Sequence, residues 1–146
     1  MKAYNYTFMC SHYNEDTKKT TVTISTKLGQ FAGCSKCHPD EEHPSYIFGG
    51  RLAEGRALEK YLKAERRIAK FQLKTLQDLY NSITCMNDFS YDNTYTSKIR
   101  RAIYEKHSEI NHINALITQL NTRIAKLVSE REILLNNNLF KKDMKS

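Results

Sequence analysis

The sequence predicts a mostly helical α+β protein, in which a small zinc-stapled β-hairpin module (residues 1–50) precedes a long antiparallel helical hairpin of coiled-coil type (residues 51–146). Three observations predict it. The period of the apolar residues changes from two to about 3.6 at Gly49-Gly50. Both prolines and three of the four cysteines precede that point. Two long stretches of helical period follow it, separated by a segment rich in Asn, Asp, Ser, Thr and Tyr.

Two short strands are expected in the N-terminal module. Tyr6 and Phe8 alternate with polar residues, and so do Val22 and Ile24, which is the period of half-buried strands. Polar residues 14–19 supply the turn between them. Because a two-stranded hairpin is at best marginally stable alone, the module is expected to need a further staple.

Cysteine and histidine residues provide a candidate for that staple, a structural Zn²⁺ ion. The chain offers a C-x2-C pair and a Cys-x-His pair, and tetrahedral zinc takes such donors. The predicted ligands are Cys10, His12, Cys34 and Cys37. His38 or His43 in place of His12 stays open, as does a redox role for the C-x2-C pair. A four-ligand site leaves no position for a reactive water, which argues against catalytic zinc.

The helical part is predicted to contain helices at about 51–83 and 97–136, joined by a tip at 84–96 and followed by a basic tail at 137–146. At 1.5 Å per residue these helices would be roughly 50 and 60 Å long. They are expected to pack antiparallel.

The second helix carries an apolar seam with steps of three and four residues. Nine of its eleven positions are aliphatic, a pattern typical of coiled coils. The apolar stripe is wider than a two-stranded seam needs, so packing on the first helix and self-association into a homodimer both stay open. The seam positions are Ile99, Ile103, Lys106, Ile110, Ile113, Ile117, Leu120, Ile124, Leu127, Arg131 and Leu134.

The first helix divides into an apolar side and a basic side when drawn at 100° per residue. The apolar side is expected to include Ile68 and Leu79, with Glu65 in its middle. The opposite side carries six cations at steps of three and four residues over roughly 27 Å. We call them the basic ridge: Arg56, Lys60, Lys63, Arg67, Lys70 and Lys74.

The basic ridge indicates contact with a negatively charged macromolecule, although a solvated helix face is the plainer alternative. Lys plus Arg number 23 against 16 Asp plus Glu, giving a formal net charge of +7. The residues expected to extend this positive field are Arg51, Arg66, Arg100, Arg101, Lys141, Lys142 and Lys145. No base-reading motif is recognisable, and no aromatic platform is expected on the ridge.

These features predict a nonenzymatic, nucleic-acid-associated accessory or regulatory protein that binds the phosphate backbone of DNA or RNA. The alternative is a protein-interaction factor, such as a viral or mobile-element inhibitor or adaptor, that docks on an acidic surface of a host machine. The sequence shows no Gly-rich phosphate loop or nucleophile elbow. It also shows no secretory signal and no apolar run of membrane-spanning length, so a reducing, cytoplasmic location without a membrane partner is expected.

Overall fold

A computed structural model describes residues 5–36, 49–85 and 93–145 of the 146-residue chain, with side chains described in these ranges except at 85, 93–94 and 134–145. The protein is mostly helical, with a small antiparallel sheet followed by two long helices. The elements are β1 (Thr7–Asn14), β2 (Lys19–Thr26), β3 (Gly29–Lys36), α1 (Arg51–Cys85) and α2 (Asn93–Lys145).

The β1–β2 turn lies where the polar residues predicted it. Asn14 Oδ1 accepts hydrogen bonds from the backbone N–H groups of Asp16 at 2.9 Å and Thr17 at 3.3 Å. This side-chain-to-backbone pattern is an Asx turn, in which the side chain replaces a backbone acceptor. Lys18 completes the reversal with a φ of 55°.

The sheet contains a third strand, so the expectation of a two-stranded hairpin is wrong. The strand order is β1-β2-β3, and both neighbouring pairs are antiparallel. The β2–β3 turn is fixed by Thr26, whose hydroxyl donates to the Gly29 carbonyl at 2.8 Å and accepts from the Leu28 N–H at 3.2 Å. Gly29 has a φ of 114°, which only glycine adopts without strain.

One face of the sheet packs on the start of α1. Val22 and Ile24 of β2 are fully buried, as are Leu52 and Ala53 of α1. At Gly33 of β3 the helix backbone comes so close that an added Cβ would lie 2.1 Å from the carbonyl oxygen of Ala53. The sheet therefore has an apolar support of its own in α1, and the need for a metal staple, as argued from the hairpin alone, is weaker.

Both helices extend beyond their predicted bounds of 51–83 and 97–136. Residues 84–85 and 93–96, assigned to the tip, are helical, and 86–92 lie outside the described residues. The predicted basic tail continues α2 as far as Lys145.

The chain divides into two compact units, one formed by residues 1–61 and 118–146 and the other by residues 62–117. In the second unit the helices are antiparallel, since partners of rising number on α1 have falling numbers on α2. Arg66 donates to Asn114 at 3.0 Å, and Lys106 donates to Gln72 at 2.7 Å. Seam positions are buried in this unit, including Ile110 and Ile113. The coiled-coil assignment itself stays a prediction.

In the unit of residues 1–61 and 118–146, α1 also approaches α2. A Cβ added at Gly55 would lie 3.2 Å from Ile124 Cγ1 and 3.8 Å from Leu120 Cδ1. Within the described ranges, neither helix is apolar over enough of its length to cross a membrane.

Candidate functional site

All six cations of the basic ridge are exposed on α1, but the surroundings of five of them, all except Lys63, place them in two groups. We call Arg56 and Lys60 the proximal pair, and Arg67, Lys70 and Lys74 the distal cations. The two groups lie in different units of the chain and are described separately.

The proximal pair contacts the outer edge of the sheet. Arg56 Nη1 donates to the backbone carbonyl of Cys34 at 2.7 Å, and Lys60 Nζ donates to that of Ala32 at 2.8 Å. Both acceptors are backbone carbonyls of β3, which is an edge strand of the sheet. Unpaired edge groups invite pairing with another chain, and cationic side chains are a common protection. Helical periodicity alone did not reveal this structural role.

The distal cations have a different environment. Arg67, Lys70 and Lys74 are exposed and have no hydrogen-bond or ion-pair partner among residues 5–36, 49–85 and 93–133. Lys63 is exposed as well but takes part in an interaction of its own, so it is not grouped with them. The distal cations therefore present charge that this part of the fold does not use.

Three arginines expected to extend the positive field instead have partners within the unit of residues 62–117, which we call the helical unit; Arg66 is engaged through the bond to Asn114 described above. Arg100 Nε donates to the Tyr80 hydroxyl at 3.0 Å, and its guanidinium carbon lies 5.6 Å from the centre of the Tyr80 ring. Arg101 Nε lies 3.3 Å from Glu105 Oε1 in an exposed ion pair. Their charges are thus partly committed to neighbours on the same unit.

Arg51 lies beside a further group of cations in the unit that holds the sheet. It lines an open cavity of about 340 Å³ together with Arg123, Lys126, Leu127 and Glu130. Three cations against one carboxylate leave this cavity positively charged at neutral pH.

An exposed aromatic side chain beside the distal cations was missed by the sequence analysis. Phe71 is 72% exposed, and Ile68 and Leu79, expected on the buried side, are each 41% exposed. On a helix, Phe71 is the i+4 neighbour of Arg67 and the i−3 neighbour of Lys74. The ridge positions themselves carry no aromatic residue, as expected from the sequence, but an exposed ring lies directly beside them. The sequence does contain a signal for this ring, because a helical wheel places Phe71 next to Arg67 and Lys74.

Three of the four predicted zinc ligands share the exposed face of the sheet. His12 and Cys34 both pair with Thr21, one from each side, and Cys10 lies two residues from His12 on the same face. Cys34 Sγ lies 3.4 Å from Thr21 Oγ1. Since β2 separates the two outer strands, His12 and Cys34 have backbones roughly 10 Å apart.

The described residues do not by themselves assemble a metal centre. They contain no group of three or more His, Cys, Asp or Glu side chains placed to hold an ion. Cys37 and the alternative ligands His38 and His43 lie outside the described residues. Cys10 and Cys34 are exposed thiols. The zinc site stays a prediction.

The chain matches no protein-family model, no curated protein and no solved structure. The functional argument therefore depends on the residues and their surroundings.

Proposed function

We propose that this protein is a nonenzymatic, nucleic-acid-associated accessory or regulatory protein that binds the phosphate backbone through the basic ridge. One observation carries the proposal, namely the exposure of the distal cations on one helix face without a partner among the described residues. A cation that the fold does not use keeps its full attraction for an external anion. Arg67, Lys70 and Lys74 are therefore the principal contacts.

The spacing of these residues suits a repeating anion. Residues 67 and 74 lie roughly 10 Å apart along the helix axis, and residue 70 lies between them. Each phosphate that a cation neutralises releases condensed counterions, so affinity falls with salt by about 0.9 logarithmic units per tenfold change for duplex DNA. These contacts carry no sequence information, since all phosphates are alike.

The test is to replace the three distal cations together by glutamine and measure binding to DNA and RNA probes of 20 nucleotides between 50 and 200 mM salt. The expected result is a salt slope reduced by about two to three and a loss of affinity at every salt concentration. Unchanged affinity would contradict the proposal.

A matched control removes the same charge elsewhere. Lys19, Lys36 and Lys98 are exposed, and none belongs to the basic ridge. Replacing all three by glutamine also lowers the formal net charge of +7 by three. If the control variant loses as much affinity as the distal variant, binding depends on overall charge and the ridge has no special role.

The alternative is a protein-interaction factor that docks on an acidic protein surface, as an inhibitor or adaptor of viral or mobile-element origin would. The apolar exposure of Ile68 and Phe71 next to the distal cations favours this candidate, because protein interfaces combine apolar and charged contacts. The two candidates differ at low salt. Failure to bind any nucleic acid at 20 to 50 mM salt would favour protein docking.

We also propose a structural zinc ion with Cys10, His12, Cys34 and Cys37 as ligands. Cys10, His12 and Cys34 share the exposed face of the sheet, which supports this proposal. The ion would add to the stability that the sheet gains from packing on α1. Elemental analysis of freshly purified protein should find one zinc per chain. Replacing Cys34 by serine should remove the zinc, whereas the same change at Cys85, which is not a predicted ligand, should retain it. Protein purified without bound metal would contradict the proposal.

A further inference from the structure

We propose that the ridge prefers single-stranded over double-stranded nucleic acid, because Phe71 provides a stacking surface for an unpaired base beside the distal cations. This inference rests on the proposed function and specifies its ligand. It draws on two features that the charge argument does not use, the exposure of the Phe71 ring and its place on the helix.

Phe71 is fixed on a helix that also carries the distal cations. Its ring is 72% exposed, and Arg67 and Lys74 are its neighbours one turn away on either side. Its backbone is held within α1, where the Phe71 carbonyl accepts a hydrogen bond from the Thr75 hydroxyl at 3.1 Å. Ring and cations thus occupy adjacent strips of one rigid surface.

This combination suits a single strand. Proteins that bind single strands without sequence preference combine a cationic surface for the backbone with aromatic side chains on which bases stack. In a duplex the base faces are already covered by their neighbours, so an exposed ring has nothing to stack on. The cations alone would serve both forms of nucleic acid, whereas the ring serves only one.

The helical unit supplies a matched aromatic for comparison. Tyr104 on α2 is 73% exposed, nearly the same as Phe71. Its neighbours one turn before it, Arg100 and Arg101, already have partners in Tyr80 and Glu105, unlike the distal cations. Removing Tyr104 therefore takes away an equally exposed ring from a surface whose cations already have partners.

The first experiment compares Phe71→Ala with Tyr104→Ala by fluorescence anisotropy, using a labelled 20-residue oligo(dT) and a labelled 20-base-pair duplex. Phe71→Ala is expected to weaken single-strand binding about 5- to 150-fold, the range for loss of one stacked base, and to change duplex binding less than twofold. Tyr104→Ala should change neither. Both rings are exposed, so neither substitution should disturb folding.

The second experiment observes the contact directly. The chain contains no tryptophan, so Phe71→Trp and Tyr104→Trp each create a protein with a single tryptophan, which can be excited selectively over the nine tyrosines of the wild-type chain. Stacking on a base quenches tryptophan emission. Oligo(dT) is expected to quench the emission of the Phe71→Trp protein at the concentrations where it binds, and to leave that of the Tyr104→Trp protein unchanged.

The outcomes separate this inference from the function on which it rests. If the distal glutamine variant loses nucleic-acid binding but Phe71→Ala behaves like Tyr104→Ala, the backbone contact holds and the stacking inference is overturned. Equal losses for single strand and duplex in Phe71→Ala would also overturn it. If the wild-type protein binds neither probe at 20 to 50 mM salt, both the nucleic-acid function and the stacking inference are overturned. The exposed Phe71 would then favour docking on an acidic protein partner.

Discussion

Replacing Gly33 by alanine should destabilise the protein strongly, because this residue is where β3 meets the backbone of α1. The added Cβ would lie 2.1 Å from the Ala53 carbonyl oxygen, 2.4 Å from the Ala57 amide nitrogen and 3.0 Å from the Arg56 carbonyl carbon. An ordinary contact needs at least 3.4 Å. All three atoms belong to the helix backbone, so no side chain can rotate to relieve the clash.

The cost follows from that geometry. Strand and helix must separate by about 1 Å or more, which loosens the packing of Val22 and Ile24 against α1. Forcing one extra methyl into a packed site usually costs about 1–3 kcal/mol, and a backbone clash belongs at the upper end. With a urea dependence of about 2 kcal/mol per molar, a loss of ~3 kcal/mol moves the unfolding midpoint down by about 1.5 M.

Gly55→Ala is the matched control, and urea unfolding followed by circular dichroism is the assay. A Cβ at Gly55 would lie 3.2 Å from Cγ1 and 3.3 Å from Cδ1 of the Ile124 side chain, so a shift of a few tenths of an ångström in side-chain atoms relieves the contact. Alanine also favours the helix over glycine by about 1 kcal/mol. Gly55→Ala should therefore keep or slightly raise the midpoint. A Gly33→Ala protein that unfolds at the wild-type midpoint would refute the close approach of β3 and α1.

Two further predictions concern polar contacts near the sheet. Tyr6 donates to Glu54 Oε1 at 2.9 Å, and burial, followed by the hydrogen bond and charge of Glu54, raises the pKa of Tyr6 above its ordinary 10.0. The folded state then holds the phenolic proton more tightly than the unfolded state, so this contribution is complete below about pH 10 and is lost as pH rises through the raised pKa. Between pH 8 and 11, the wild-type free energy of unfolding should fall more than that of Tyr6→Phe, and parallel profiles would contradict the contact. Lys60→Met should lower the free energy of unfolding by about 0.5–1.5 kcal/mol, because the hydrogen bond to the Ala32 carbonyl is lost. The control, Lys70→Met, should change the free energy of unfolding by less than about 0.5 kcal/mol. Equal effects of the two variants in chemical denaturation would argue against a structural role for Lys60.

The long elements could be predicted because their signals are strong and local. The period change at Gly49-Gly50 locates the start of α1 at Arg51. The polar run after β1 locates the first turn. The third strand, by contrast, lacks a strong signal, since its middle is Ala32, Gly33 and Cys34. The glycine at position 33 is explained only by the helix backbone that packs on it, a long-range contact that local patterns do not contain.

The basic ridge was predictable as a set of exposed side chains but not as two groups. Helical periodicity reports the direction in which a side chain leaves the helix, and all six cations do point outward. It does not report what lies at the end of the side chain. Arg56 and Lys60 reach the edge of a strand that the sequence analysis did not contain, so their bonds to backbone carbonyls could not be foreseen.

This division bears on which charges are available to a ligand. The proximal cations are held by hydrogen bonds of 2.7 and 2.8 Å to backbone carbonyls of the edge strand β3, so moving them onto a phosphate would break these bonds. The distal cations lose only side-chain freedom on binding, which for Lys and Arg is about 2 kcal/mol each. Variants of the proximal pair should therefore alter stability first, and variants of Arg67, Lys70 and Lys74 should alter affinity first. If variants of the two groups weakened ligand binding equally, the proximal and distal cations would not have the different roles that we infer from their surroundings.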